Sequence, residues 1–473
     1  MYDDDNMDEE QSPIEALIER FEQIKNGTGS GMLDEEEYER VIEYYFQQSN
    51  DTSALLACEI GSTYYPFSSS ILLLKAEILT QTQKYGQALK TLDQLEQYDQ
   101  VNLGAVLLRA DVLLSQSKYE HAASFLLKSS DLFEGKERIE ILLELADVYD
   151  ECEDYDDVYQ TLKKVLVLDT RNEEALQKVS FWAEFTNQLE DSVALHLQLT
   201  NDDPYSTLAW FNLGAAYQGL KKFEEAIDAY EYCVAIDEKF EFAYRNMADA
   251  FMRLKQYEKA LEVLQKHIEI GKAEDVIFEA MGYCYEKQKN FALARHYYRQ
   301  ASKLSPEDDV IFYKIGETYA RQQDWEKAMK SYSVALSINK ENATYCLAIG
   351  NCLMELDVKN EALLCFLNAV RLKPSVKTTW LALIRGLFFA AHYDEALTQL
   401  AVARGNCGDK PDFDYLQAAV LFEMGKTKEA LIVLEDALQE NLSKLKMFTQ
   451  LNPDYIKRAA VAELIAKYKK TKG

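Results

Sequence analysis

Residues 208–236 read LAWFNLGAAYQGLKKFEEAIDAYEYCVAI. Trp210, Leu213, Gly214 and Tyr217 lie on one side of a short polar break, and Phe223, Ala226, Tyr230 and Cys233 on the other. Apolar spacings of three and four put each set on one face of an α-helix, so the stretch predicts two amphipathic helices over roughly 208–219 and 222–236. Two helices with one apolar face each close on one another as a hairpin. Gly214 and Ala226 are the small residues of that hairpin; they let the two backbones approach, where larger side chains would wedge them apart.

The arrangement returns every 34 residues, the period of a helix–turn–helix array. From Ala226 the small site of the second helix continues as Ala260, Ala294, Ala328, Ala362, Ala396 and Ala430. The small site of the first helix runs Gly214, Ala248, Gly282, Gly316 and Gly350, lapses at Ile384 and recovers at Ala418. The aromatic that opens the hairpin runs Trp210, Tyr244, Phe278, Phe312, Cys346 and Trp380. Toward the amino terminus the register survives in weaker form, with a two-residue insertion near Phe133–Lys136, and the earliest hairpin has Ile42 at a small site.

At Phe278, Met281, Gly282, Tyr285, Phe291, Ala294, Tyr298, Ala301 and Pro306 the chain resembles the tetratricopeptide repeat family, whose pattern is a Trp, Leu-Gly, a Tyr, an Ala, an aromatic, a second Ala and a closing Pro. The resemblance implies an all-α fold, a right-handed superhelical solenoid of about twelve repeats from Glu35 to Gln439, whose first helices line a concave binding groove. Three segments are expected: 1–33, an acidic start with one short helix and a Gly-rich linker over Asn26–Gly31; 34–440, the solenoid; and 441–473, a capping helix region. Residues 1–11 are expected to be disordered, and Ser12-Pro13 to start the short helix.

Composition narrows the function. The net charge of −29 would repel a phosphate backbone or an anionic lipid surface, which argues against nucleic-acid and membrane partners. Residues 1–240 carry 49 acids against 18 bases, and the remainder 31 against 33, so the two halves offer different electrostatics. The eight cysteines show no C-x-x-C spacing and fall within helical patterns, as expected of reduced thiols in a cytoplasmic protein. No secretory signal and no uncharged apolar run of membrane-spanning length is visible.

The column through Ala215 singles out candidate groove residues. Its first four positions are Glu43, Glu77, Asp111 and Asp147, with Glu144 and Asp150 on neighbouring sites. A cleft lined by like charges attracts a basic segment and speeds its association, so a Lys/Arg-rich partner is expected over the first four repeats. The plainer reading, a solvated helix face, stays open. Farther on, the groove columns hold Phe181, Phe185 and Phe211, then Arg245, Asp249 and Arg253, then Tyr283, Lys287, Tyr313, Glu317 and Arg321. That mixture suits a peptide with apolar anchors, although Phe181 and Phe211 are also read as packing between repeats. The Lys–Asn pair by which chaperone-binding relatives grip a terminal carboxylate is missing, since Phe211 stands with Ala215, Arg245 with Asp249 and Leu347 with Asn351.

Catalytic chemistry finds no foothold. The five histidines are scattered singly, without metal-ligand spacing, and Gly405-Asn406-Cys407-Gly408 lacks the pattern of a phosphate loop. No cofactor or metal is expected. The reading is a non-catalytic interaction scaffold for a protein or peptide, with a permanent accessory subunit of a larger cytoplasmic complex as the alternative.

Overall fold

The computed structural model describes residues 13–28 and 32–471. Residues 1–12, where the acidic start and the expected disorder fall, and residues 29–31 of the expected linker lie outside the described residues. Among the described residues the chain is all-helical. Twelve helical hairpins follow one another, from Glu35–Gln47 with Asp51–Tyr64 to Pro411–Glu423 with Thr427–Glu440. The stretch at 208–236 forms the helices Thr207–Gly219 and Phe223–Ile236. The chain divides into two compact units, Met1–Asn246 and Met247–Gly473.

Every hairpin turns through one left-handed residue. These are Ser49, Gln83, Ser117, Glu153, Asn187, Lys221, Lys255, Lys289, Gln323, Asp357 and Ala391, all with φ between 56° and 61°, and finally Gly425. Their interval is 34 residues except from Ser117 to Glu153, where the insertion makes it 36. The residue after each one donates its N–H five positions back, as Asn50 does to Tyr45 (2.9 Å) and Val358 to Leu353 (2.8 Å). That bond satisfies a carbonyl at the helix end and helps hold non-glycine residues where an L side chain costs about 1–2 kcal/mol.

The second-helix alanines from Ala226 to Ala430 are fully buried. The first-helix small site has a narrower purpose than backbone approach. A Cβ on Gly214 would stand 2.5 Å from the Tyr230 ring, on Gly282 2.5 Å from Tyr298, on Gly316 2.4 Å from Tyr332 and on Gly350 2.5 Å from Phe366. Each ring comes from the second helix of the same hairpin, sixteen positions on. Where that later position is Leu92, Leu126, Leu162, Leu264 or Leu434, the earlier one is Ala76, Ala110, Ala146, Ala248 or Ala418. Ile42 is matched by the small Cys58 in the same way, while Ile384 with Leu400 departs from the pattern. The site is sized to its partner, as close packing requires.

Further helices cover the first and last hairpins. Phe21 of the helix Pro13–Lys25 is fully buried, its ring 6.4 Å from Tyr38 and 6.0 Å from Tyr45. Arg20 pairs with Glu37 at 2.6 Å, and Tyr45 donates to Glu22 at 2.8 Å. At the other end a helix Leu445–Leu451, a short turn Pro453–Lys457 and a helix Ala459–Thr471 follow the last hairpin. Tyr455, buried, donates its hydroxyl to Glu423 at 2.6 Å and stacks on Phe448 at 4.8 Å. No helix among the described residues is long and apolar enough to cross a membrane.

Candidate functional site

Within unit 1 the first helices pack on one another in two runs, which the Lys178–Asp147 ion pair links. Glu35–Gln47 packs on Ser69–Gln81, that helix on Leu103–Ser115, that one on Gly135–Glu151, and Glu173–Phe185 on Thr207–Gly219. No second helix of unit 1 packs comparably on the next among the described residues. Helices that crowd on one side and separate on the other make that crowded side the inner face of a curved array.

Glu43, Glu77, Asp111 and Glu144 are among the carboxylates of these helices without an ion pair among the described residues. Glu77 and Glu144 are half-buried, while Glu43 and Asp111 reach solvent. Partial burial pushes the Glu77 carboxyl up, and the charge of Glu43 pushes it further. Glu144 is raised by burial first, then by Asp111 and Asp147. Asp111 is raised by burial too, because the flanking helices exclude water around an otherwise accessible side chain. Asp147 is the exception, paired with Lys178 at 2.8 Å, a cation that also holds Glu174 at 2.8 Å. Asp150 is exposed.

The aromatics that follow divide. Phe211 is half-buried against Tyr230 and Phe240, with ring centroids 5.8 and 5.1 Å apart, and so does pack as structure. Phe181 and Phe185 do not pack in this way; they are 60% and 58% exposed. Arg245 is exposed, its guanidinium 5.4 Å from the Phe242 ring centre.

In unit 2 the predicted charged residues have neighbours within the chain. Asp249 pairs with Arg253 at 3.4 Å, and Lys287 lies 4.8 Å from the Tyr283 ring centre. Arg321 reaches back to Glu286 at 3.2 Å, a buried carboxylate that also accepts from Tyr298 at 2.9 Å. Glu317 accepts from the Tyr332 hydroxyl at 2.5 Å, and Tyr313 stacks on Tyr345 at 5.2 Å. Asp249, Arg253 and Tyr283 share the lining of one cleft of ≈ 420 Å³ with Glu279 and Lys314, which are themselves ion-paired. Tyr313 and Glu317 line another, of ≈ 310 Å³, with Leu347 and Asn351.

A larger cleft of ≈ 760 Å³ between the helices Ala343–Glu355 and Lys377–Phe389 was not anticipated from sequence. Leu347, Asn351, Leu381, Arg385 and Phe389 line it. Following the same groove columns two repeats farther reaches all five, so the signal was present.

Models of the tetratricopeptide repeat match residues 207–240, 243–275, 277–308 and 311–338, in step with the helical hairpins. Residues 207–338 are thus a run of four tetratricopeptide repeats. Repeats of this kind support a protein–protein interaction scaffold. No curated protein sequence matches it. Solved structures with similar stretches include the APC/C hetero-tetramer Cut9-Hcn1, at 14% identity over 82% of this chain and 97% of that one, with a TM-score of 0.34. They also include YrrB, described as a tetratricopeptide repeat protein with an unusual peptide-binding site (16% identity, 39% and 95% covered, TM-score 0.34). A third is MamA (19% identity, 36% and 92% covered, TM-score 0.34). At these scores the three carry no argument about what this tetratricopeptide repeat chain binds.

Proposed function

We propose that unit 1 holds a Lys/Arg-rich segment of a protein partner along the row Glu43, Glu77, Asp111, Glu144 and Asp147, and that this role is non-catalytic. One observation carries the reading: Glu77, Asp111 and Glu144 have raised pKa values, and neither they nor Glu43 form an ion pair among the described residues. A folded state that keeps carboxylates close together and partly dry disfavours their charged forms. A bound cation relieves that, so folding leaves the row primed for a basic ligand.

The sign of the pH effect follows. The raised groups must ionise to bind a cation, so affinity is lost as pH falls through their elevated pKa values and is fully present above them. Replacing Glu77→Gln together with Asp111→Asn removes two charges with little change of shape. Titration calorimetry of the intact double variant with a lysine-rich peptide should give an affinity about tenfold or more below the native one. An unchanged affinity would sink the proposal and return the acids to the status of a solvated face.

A second reading places an apolar-anchored peptide in unit 2, favoured by the clefts along its first helices and by the pairing of Asp249 with Arg253 and Arg321 with Glu286. All eight cysteines are free thiols and five are buried, which supports a cytoplasmic setting.

A further inference from the structure

Phe181 occupies the same column as Glu43, Glu77, Asp111 and Asp147, one repeat on, and Phe185 follows Glu151 in the next column. The carboxylate row therefore runs into aromatic rings. Phe181 and Phe185 sit one turn apart on the helix Glu173–Phe185, ring centroids 6.0 Å apart and 25° from parallel. Trp182 lies edge-on to both, at 4.9 and 5.7 Å, and stacks on Tyr155 at 5.3 Å and 14°. Tyr155 closes the group with its ring 4.9 Å from Phe185. Four rings thus form one cluster whose two outer members leave more than half their surface in water.

A cluster of this kind is costly to leave bare, and the surrounding charge selects what covers it. Asp147 and Glu151 lie one repeat earlier in the same columns, and Glu184 adjoins Phe185. The neighbouring cation, Lys178, is engaged by Asp147 and Glu174. Aromatic faces are electron-rich, and a flat guanidinium stacks on them while its N–H groups reach flanking carboxylates. We propose that the Phe181–Phe185 face is the seat of an arginine side chain at one end of the basic segment, so that row and rings form one recognition track. This rests on the acidic-row reading given above and adds to it the side chain recognised.

Fluorescence anisotropy with a labelled oligo-arginine peptide and the intact chain separates the two ideas. Phe181→Leu with Phe185→Leu keeps apolar area and removes the π faces. It should weaken arginine-peptide binding by roughly 5- to 30-fold, while Phe181→Tyr with Phe185→Tyr should hold near-native affinity. Because both rings are exposed, the leucine variant should melt like the native protein. Native affinity in the leucine variant, with loss only in the Glu77→Gln/Asp111→Asn variant, would overturn the arginine seat and leave the acidic row standing. Absence of peptide binding by the native chain at low salt would overturn both.

Discussion

His196 is the residue whose chemistry is least comfortable in this fold. It is fully buried, and neither ring nitrogen finds a hydrogen-bond partner. It stands where other hairpins place Tyr230, Tyr298 or a leucine, with Ser180 at the matching small site. Burial pushes its pKa down from 6.5 to about 3. Above pH 6.5 both folded and unfolded forms are neutral at this site, and the group imposes no pH dependence. Below it the unfolded chain takes up a proton that the folded one refuses until near pH 3, so stability falls by about 1.4 kcal/mol per pH unit across that window. His196→Leu, which copies the small-residue-with-leucine pairing of other hairpins, should be at least as stable at neutral pH and gain progressively over the native chain as pH drops toward 4. Thermal midpoints of the two proteins that stay a constant distance apart from pH 7 to about 4 would show that this histidine is not a buried neutral group.

At the scale of the helical hairpin, the pairing of small site and ring makes a quantitative claim. Gly350→Ala brings a Cβ to 2.5 Å from Phe366 and should destabilise by about 1–3 kcal/mol. In a Phe366→Leu background the same change recreates the Ala-with-Leu pairing of Ala248 and Leu264, and should cost less than about 1 kcal/mol because alanine also favours helix. Additive effects in a double-mutant cycle of denaturant unfolding would contradict the pairing. This level of the fold was largely legible in the sequence. The columns through Ala226 and Gly214 fixed the phase, and the step near Phe133–Lys136 reappears as the longer interval between Ser117 and Glu153. What periodicity could not supply was the object each small residue accommodates. The ring comes from another helix, and a period of 3.6 locates a face without naming the atom opposite it. The same limit explains Phe181, which lies at the margin of its helix's buried stripe, where the neighbouring repeat determines whether a residue is covered. It also explains Arg321, a groove-column candidate that Glu286 holds across the repeat boundary.

Across the whole molecule, charge is partitioned much as the fold is. Residues 1–240 hold 49 acids and 18 bases, the rest 31 and 33, and the compact units divide between Asn246 and Met247. The first unit keeps its groove-row acids largely unpaired, whereas the second pairs Asp249 with Arg253 and Arg321 with Glu286. An array built this way should discriminate partners by charge along one stretch and by shape along the other. The most direct test of that account is the affinity of the intact chain for an oligo-lysine peptide measured across a salt series. Electrostatic capture by the acidic row predicts a loss of tenfold or more between about 50 mM and about 500 mM salt, where the screening length contracts to a few ångströms. An affinity that stays flat across that range would contradict it and move the binding function to the apolar clefts of the second unit.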